Sequence, residues 1–430
     1  MIENDSCFIY FKDGTFLHEK LANDIISEFE IVFSPKLGFL KFDKVWKIID
    51  EEELRNKCQI KLRGKYKSLY VNETIKCIKD ETYISLDKIN NNKNRLVLLN
   101  GTLDLSDWNN LIFYKDEYFK TDYCTIMLNC NYNKNSKYNI FIKFLNDIFN
   151  NDQQIINVVK EMFGYCLITD TRLETSFILY GAGSNGKSTL LKVLQKLLTD
   201  ENVSSVSIND LNRIFARVNL YGKLANISTE LEERIISTST FKQVVSGEQI
   251  LASYKGKDEF HFKPFCKLIF ALNKLPKVRD RSHGFFRRLQ IIPFENTYEG
   301  KNKDVFLDNK LNQEIDGILQ FAIEGLTQLY NNCTFTYSDK VNEYLKEYKN
   351  QRSSIEEFLD DSVELDKDSN IPCKEIYDLY KIYCIQNGFK GILNNVNFGK
   401  EILKYHSEVT KKRITINSKK ENCYNGIRLI

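Results

Sequence analysis

The chain has 430 residues, a net charge of +3 and 28% charged residues, which excludes a histone-like or polybasic protein. Apolar residues make up 42%, a share typical of globular proteins, so wholesale disorder is excluded. The acidic N-terminus does not fit a secretory signal, and no charge-free apolar run approaches the roughly 20 residues that span a bilayer. We therefore expect a soluble, intracellular protein of about two to four domains with no membrane partner.

Cysteine and histidine spacing gives no sign of a metal site. The eleven cysteines are scattered and form no CxxC pair, and the four histidines form no HxxxH pair. We expect reduced, mostly buried thiols.

The first half of the chain predicts an α+β region followed by helices. Residues 1–90 mix short strand-like runs with one helical stretch, Leu21–Glu28. The apolar run Leu96–Leu99 ends in Asn100-Gly101, a turn signal. Apolar residues then recur at helical spacing over 141–163.

Three short apolar strands at about 45-residue intervals predict an α/β layer. They are Ser176–Tyr180, Leu224–Ser228 and Leu268–Leu272, with helices and loops between them. A long helix over Gln313–Tyr330 is expected to close this region.

A phosphate-binding motif directly follows the first of these strands. Residues 181–188 fit the pattern G-x-x-x-x-G-K-[ST], and a helical run follows, as the motif requires. Lys187 would place a cation on the β- and γ-phosphates, and Ser188 would offer its hydroxyl to Mg²⁺. The competing interpretation is a glycine turn without a ligand. We predict ATP and Mg²⁺ as cofactors, bound through Gly181, Ala182, Gly183, Ser184, Asn185, Gly186, Lys187, Ser188 and Thr189.

The second strand leads to an acidic side chain, Glu230. We expect Glu230 to polarise the attacking water or to hold Mg²⁺ through water. Thr229 replaces the aspartate of the usual Asp-Glu pair, and Glu232 and Glu233 are alternatives. A surface acid at a strand end is the other interpretation of Glu230.

The third strand leads to Asn273, whose amide can orient the water or contact the γ-phosphate. Arg287 and Arg288 precede a further apolar strand, far from the motif in sequence. Either arginine is a candidate finger for the nucleotide of a neighbouring subunit, and a solvated pair is the alternative.

Between Glu230 and Asn273 the sequence predicts a basic β-hairpin. Apolar and polar residues alternate on either side of Lys255-Gly256-Lys257, which predicts a glycine turn at the tip. Over residues 252–292 ten basic side chains oppose three acidic ones. Lys255 and Lys257 can bind phosphates, and Tyr254, His261 and Phe262 can stack bases; the alternative is a solvated loop.

The sign of the charge changes near the C-terminus. Residues 353–369 hold seven carboxylates and one lysine, whereas residues 370–430 hold eleven basic and five acidic side chains. Two helices (Lys374–Gln386 and Asn397–Tyr405) and two strands (Val409–Ile416 and Tyr424–Ile430) are expected in the second segment. This order resembles a winged helix, used on duplex DNA or for protein contacts. The candidate phosphate contacts are Lys411, Lys412, Arg413, Lys419 and Lys420.

These motifs occur in the order found in superfamily 3 helicases, and the chain resembles the helicase part of phage, plasmid and poxvirus-type primase-helicases. The chain departs from the family pattern in two places. Gly247-Glu248 replaces the expected Gly-Asp before the hairpin. Residues 1–95 carry no Asp-x-Asp pair on a strand-like run, so primer synthesis is not expected. The resemblance rests on Gly181–Ser188, Ile227–Glu230, Phe241–Glu248, Asn273–Pro276, Arg287–Leu289 and Pro293-Phe294, with Asn100–Leu105 and Phe163–Leu167 upstream.

The resemblance implies a homo-hexameric AAA+ ring on DNA. ATP sites would lie between subunits, with Arg287 or Arg288 acting across the interface and Lys255 and Lys257 lining the channel. The implied fold is α/β. It comprises an α+β N-terminal domain (1–95), a linker with a helical collar (96–155), an AAA+ P-loop ATPase core (156–335), a helical and acidic linker (336–369) and a C-terminal winged-helix domain (370–430).

The leading hypothesis is an ATP-dependent replicative DNA helicase of a phage, plasmid or other mobile element, an ATP hydrolase that translocates on single-stranded DNA. Single-stranded and forked DNA are the expected partners, with a separate primase or origin-binding protein as a further one. We expect it in the cytoplasm of a bacterial host or a virus-infected cell. The alternative is an AAA+ switch that binds origin or regulatory DNA without processive unwinding. A structural DNA-binding protein is a third option, against which the intact motif argues.

Overall fold

The computed structural model describes residues 9–229, 238–276, 278, 282–298, 304, 306–350, 354–389, 392–406, 408–416 and 419–430. They form two compact units. The larger unit takes the described residues of 9–274 and 282–342, and the smaller one those of 275–278 and 343–430. No helix within these ranges is long and apolar enough to cross a membrane.

The larger unit begins with an α+β region that holds three helices, whereas the sequence predicted a single helical stretch there, Leu21–Glu28. Its two antiparallel sheets are β1–β2 and β3–β4–β5. Apolar faces of the three helices enclose a core that includes Leu21, Ile25, Leu54 and Ile75. The elements are β1 (Phe11–Lys12), β2 (Thr15–Phe16), α1 (His18–Phe29), β3 (Ile31–Ser34), β4 (Gly38–Asp43), β5 (Val45–Ile49), α2 (Glu51–Leu62) and α3 (Ser68–Glu81).

A three-stranded sheet and two helices follow: β6 (Arg95–Leu98), β7 (Gly101–Asp104), β8 (Ile112–Lys115), α4 (Asn139–Ile148) and α5 (Gln153–Tyr165). The turn predicted at Asn100-Gly101 joins β6 to β7. The helical pattern over 141–163 forms two helices, because Asn150 and Asn151 adopt positive φ and end the first. The Asp152 carboxylate then caps α5 by accepting from the backbone N–H of Gln154 at 3.0 Å.

The rest of the larger unit is built around a parallel sheet. In chain order its elements are β9 (Ser176–Tyr180), α6 (Lys187–Leu198), β10 (Val203–Ser204), α7 (Ile214–Arg217), β11 (Ala225–Ser228), α8 (Thr238–Ser246), β12 (Ile250–Ala252), β13 (Phe260–Phe262), β14 (Lys267–Leu272), α9 (His283–Phe286), β15 (Leu289–Pro293), α10 (Leu307–Gln313) and α11 (Ile315–Asn332). The strand order is β10–β11–β14–β9–β15, all parallel. The predicted α/β layer is therefore confirmed.

Helices α5 and α11 pack at close range through glycine. A Cβ added to Gly325 in α11 would lie 2.1 Å from the carbonyl oxygen of Lys160 in α5. A Cβ on Gly164 in α5 would lie 2.4 Å from the backbone nitrogen of Leu326. One hydrophobic core runs from Leu96 to Phe335, so residues 96–155 share their core with the sheet.

A buried lysine begins β14. Lys267 is 2% exposed, and its ammonium donates to the carbonyl oxygens of Ile168 and Phe265. The Tyr165 ring lies 4.6 Å from its Nζ, and Cys166 and Cys266 lie nearby. Because burial disfavours the charged form, it lowers the pKa of Lys267 to about 8.

The smaller unit contains a three-stranded antiparallel sheet in the order β16–β18–β17. Its core includes Phe358, Ile376, Tyr380 and Phe398. Its elements are α13 (Ser354–Ser362), β16 (Val363–Pro372), α14 (Cys373–Gln386), α15 (Asn395–Tyr405), β17 (Thr410–Ile416) and β18 (Lys419–Leu429); α12 (Asp339–Asn350) starts in the larger unit.

The acidic stretch differs from the linker predicted for it. Residues 354–369 form α13 and most of β16, and Phe358 and Val363 lie in the core of the unit. Strand β16 pairs with β18, where Glu364 forms an ion pair with Arg428. Helix α15 begins at Asn395, two residues before the predicted Asn397, because the Asn394 side chain caps it by accepting from the Asn397 N–H at 2.9 Å.

We expect Gly325→Ala to destabilise the larger unit by about 1–3 kcal/mol, because its methyl group would meet the α5 backbone. Gly64→Ala is the matched control, since a Cβ there meets nothing within 4 Å. Urea unfolding of both variants measures the difference. Equal midpoints would contradict the close helix contact.

Candidate functional site

The phosphate-binding motif lies at the carboxyl edge of the parallel sheet, between β9 and α6. The Gly181 N–H donates to the Leu272 carbonyl oxygen at 3.2 Å, which joins the loop to β14. Two glycines are required here. A Cβ on Gly181 would lie 2.3 Å from the Phe294 carbonyl oxygen, and Gly186 has φ +90° where α6 begins.

Lys187 turns back onto this loop. Its ammonium donates to the carbonyl oxygens of Gly181 (2.7 Å) and Ala182 (2.8 Å) and to Oδ1 of Asn185 (2.9 Å). Lys187 is 6% exposed, and burial lowers its pKa. A cation therefore stands at the centre of the loop.

The remaining loop residues leave the cradle open. Ala182, Gly183, Ser184 and Ser188 are exposed, and Ser188 and Thr189 lie in the first turn of α6. Backbone N–H groups, a lysine and a serine hydroxyl are the donor set that binds nucleotide phosphates with Mg²⁺. The residues thus fit both predicted cofactors. Among the described residues, no group of three or more His, Cys, Asp or Glu side chains forms a separate metal site.

Strand β14 brings Asn273 to the same edge. Leu272 pairs with Tyr180, and Asn273 follows it, exposed, directly beside the start of the loop. Strand β11 ends at this edge as well, since Ser228 pairs with Phe270. Glu230 and its alternatives Glu232 and Glu233 lie outside the described residues.

Arg287 and Arg288 lie at the opposite edge of the sheet, where β15 begins. Arg288 is 8% exposed and donates to Ser246 Oγ at 2.8 Å and to the Gly284 carbonyl oxygen. It also pairs with Glu174 at 2.8 Å. The Arg287 side chain is 42% exposed, and Glu174 is its ion-pair partner. Arg288 is therefore held by its own chain, whereas Arg287 is accessible.

The basic segment forms the predicted hairpin, because β12 pairs antiparallel with β13. Its tip is closed by the Lys257 N–H donating to the Tyr254 carbonyl oxygen at 3.0 Å, with Gly256 at φ +76°. Lys255, Lys257 and His261 are exposed. The ring of Tyr254 stacks on Phe260, with centroids 5.8 Å apart. The tip thus combines cations with an aromatic surface.

Sequence reasoning missed two neighbours of the hairpin. Phe215 in α7 is 58% exposed, and α7 is joined to the hairpin because the Ser253 N–H donates to the Ile214 carbonyl oxygen at 3.3 Å. Lys36, from the N-terminal region, lies 5.9 Å from the centre of the Phe260 ring. The sequence did hold a signal for Phe215, because this aromatic residue lies between Arg213 and Arg217. Proteins that bind single-stranded nucleic acid combine aromatic and basic side chains in this way.

Three of the candidate DNA contacts of the smaller unit lie on β17. Lys411, Lys412 and Arg413 are exposed, and Lys412 donates to Oδ1 of Asn425 at 3.1 Å. Lys419 and Lys420 belong to β18 rather than to a loop; the side chain of Lys419 lies outside those described, and Lys420 is exposed.

Three family patterns match successive parts of the chain. Residues 9–150 match the D5 N terminal like family, residues 179–288 match a family of unknown function (DUF5906), and residues 352–430 match the RFX DNA-binding domain. The second match includes the phosphate-binding loop, Asn273 and both arginines. The third begins two residues before α13.

Viral proteins are similar in sequence. Putative helicase 184R of Invertebrate iridescent virus 6 is 23% identical over 340 residues, which are 66% of this chain and 33% of that protein. Putative helicase L207/L206 of Acanthamoeba polyphaga mimivirus is 24% identical over 243 residues, which are 49% of this chain and 24% of that protein. The match thus spans a third or less of these relatives.

The fold is similar to apo structures of the NrS-1 C terminal region. One has a TM-score of 0.53 at 13% identity and covers 95% of this chain and 99% of that one. A second has a TM-score of 0.51 at 14% identity, with 94% and 98% covered. The resemblance to the helicase part of primase-helicases is confirmed.

We expect Arg288→Ala to destabilise the larger unit by about 3 kcal/mol, because Arg288 is buried and its removal takes away an ion pair with Glu174 and hydrogen bonds to Ser246 and Gly284. Arg287→Ala should change stability by about 1 kcal/mol or less, since its ion pair is exposed. Urea unfolding of the two variants tests this assignment. A larger loss for Arg287→Ala would reverse it.

Proposed function

We propose that this chain is an ATP-dependent DNA helicase of the superfamily 3 type, from a virus or other mobile element, with an AAA+ ATPase core. One observation is the main support for this proposal. The phosphate-binding loop and the two arginines lie at opposite edges of the parallel sheet, a full strand length apart. The named viral helicases and the D5 N terminal like match support it.

The distance between the two edges supports an assembly. A five-residue strand such as β9 spans about 16 Å, so Arg287 lies too far from the loop of its own chain to contact a phosphate there. We propose that it acts on a neighbouring copy, and copies joined head to tail form a ring when the rotation between them closes. We propose a homo-hexamer with ATP between subunits.

At each interface, one chain would bind the nucleotide and the next would complete the site. Lys187 would exchange its loop partners for the β- and γ-phosphates, and Ser188 and Glu230 would hold Mg²⁺, which neutralises phosphate charge when bound. Glu230 would polarise the water that Asn273 orients. Arg287 would stabilise the charge that develops on the transferred phosphate.

Mixing two inactive variants tests the shared site. We expect Lys187→Ala and Arg287→Ala each to lose about 10³-fold or more of ATP hydrolysis. Mixed in equal amounts, they should recover about a quarter of the wild-type rate, because that share of interfaces joins an intact loop to an intact arginine. Phosphate release measures the recovery, with Lys196→Ala, an exposed change in α6, as the active control. A mixture that stays inactive would refute the shared site.

The hairpin is proposed to contact the translocating strand through Lys255, Lys257 and His261. Replacing both lysines by Ala should flatten the slope of log affinity against log salt by about 1.4 for single-stranded DNA, since each neutralised phosphate contributes about 0.7. Unwinding of a forked duplex should be lost, while DNA-independent ATP hydrolysis persists. Anisotropy and strand-displacement assays measure these changes. The matched control is Lys76→Ala with Lys143→Ala, both exposed and outside the hairpin. If the hairpin variant unwinds the fork at the wild-type rate, the hairpin is a solvated loop and does not contact the translocating strand.

A second candidate function rests on the RFX DNA-binding match at residues 352–430. An AAA+ switch would bind origin or regulatory DNA through this unit without processive unwinding. We propose that residues 354–430 form a winged helix, in which β17 and β18 are the wing and Lys411, Lys412, Arg413, Lys419 and Lys420 contact phosphates. Strand displacement on a fork separates a switch from a helicase.

Deleting residues 352–430 should weaken duplex binding and leave basal ATP hydrolysis largely intact. The cut falls before α13, because a cut at 370 would divide β16 and remove core residues such as Phe358 from their partners. Duplex anisotropy and phosphate release test this on the truncated chain. Loss of all ATP hydrolysis in a folded truncation would contradict an independent DNA-binding unit.

A further inference from the structure

A cleft of about 570 Å³ lies beside the base of the hairpin, within the larger unit. Five segments line it: residues 86–93, 169–171, Tyr221, 247–249 and 261–265. Its volume falls within the range of pockets that enclose a small organic ligand, and it would admit about one or two nucleotides. Among the described residues that line it, none belongs to the phosphate-binding loop or is Asn273.

The lining is polar and partly cationic. Lys93 and Lys263 are exposed there, and Asp87 is the one carboxylate among the described residues that line the cleft. Asn91 and Gln249 add exposed amide groups that can bond base edges. These groups match the phosphates and bases of a nucleic acid.

Two further features favour an occupant. The hydroxyl oxygen of Thr169 is buried in the cleft wall and has no hydrogen-bond partner among the residues described. The ring of Tyr221 packs edge to face on Phe262, with centroids 5.4 Å apart, and both rings line the cleft. A base can stack or pack on such an aromatic wall.

The hairpin itself connects the cleft to the tip. His261 and Phe262 belong to β13, the strand that returns from Lys257, and Lys263 follows it. A single strand that contacts the tip can therefore continue along β13 into the cleft. We propose that the cleft binds one or two nucleotides of that single strand, a second DNA site that rests on the proposed helicase function.

The far wall of the cleft leads to the arginines. Gly247 and Thr171 line it, and a Cβ on Gly247 would lie 2.4 Å from the Thr171 Oγ1. Ser246, beside Gly247, accepts from Arg288, and the Glu174 N–H donates to the Thr171 carbonyl oxygen at 2.9 Å. A nucleotide in the cleft would thus press on the segments that hold Glu174, the partner of Arg287.

The test compares Lys93→Ala/Lys263→Ala with the control pair Lys76→Ala/Lys143→Ala in the full chain. With the hairpin tip intact, the cleft variant should lower the salt slope of binding to a labelled oligothymidylate by about 1.4. It should also lose the stimulation of ATP hydrolysis by single-stranded DNA. All variants should melt at the wild-type temperature. A slope and stimulation equal to those of the control pair would overturn the proposal.

A photo-crosslinker identifies the occupant. With p-benzoylphenylalanine in place of Gln249, irradiation should attach the labelled oligothymidylate, and the same residue in place of the exposed Gln313 should not. Attachment of ATP alone, or of neither, would overturn the single-strand site. A wild-type chain that neither binds nor unwinds DNA would be a separate result, because it would contradict the proposed helicase function and not only the site in the cleft.

Discussion

The parallel pairing of β14, β9 and β15 fixes where the chemistry of the larger unit can occur. Parallel strands place all their carboxyl ends at one edge, so the phosphate-binding loop and Asn273 meet there. The same pairing carries Arg287 and Arg288 to the other edge. An antiparallel β15 would have returned the arginines to their own loop. The second subunit that we propose for the ATP site thus follows from strand direction.

Strand β14 also links the two edges within one chain. It begins just after the hairpin and the cleft wall at residues 261–265, and it ends at Asn273 beside the loop. It is buried along its whole length, and a close-packed interior of this kind can transmit strain. In the proposed function, a shift of the hairpin along DNA and a change at the γ-phosphate would act on opposite ends of this strand.

Local sequence predicted much of this structure, because strands, turns and the phosphate loop depend on neighbouring residues. The apolar run before Gly181 and the glycine turn at Gly256 are examples. Three features depend on contacts between segments that are far apart in sequence, and the spacing of residues along the chain cannot reveal them. They are the strand order, the ion pair between Arg288 and Glu174, and the cleft.

The prediction of a linker for the acidic stretch was wrong for a physical reason. Its carboxylates suggested solvated linker, yet Glu364 lies on an edge strand opposite Arg428, with Val363 turned into the core.

Because Lys267 is buried, it makes the free energy of unfolding of the larger unit depend on pH in the alkaline range. Its pKa falls from 10.5 in the unfolded chain to about 8, so between those values the unfolded state binds more protons, and the contribution of Lys267 to stability rises with pH. Burial raises the pKa of the Cys166 and Cys266 thiols from 9.0 to about 12, which has the opposite sign. Their contribution falls as pH rises above 9. The lysine and the two thiols therefore shift the stability of the larger unit in opposite directions as the pH rises, so the ionisation of one offsets that of the others.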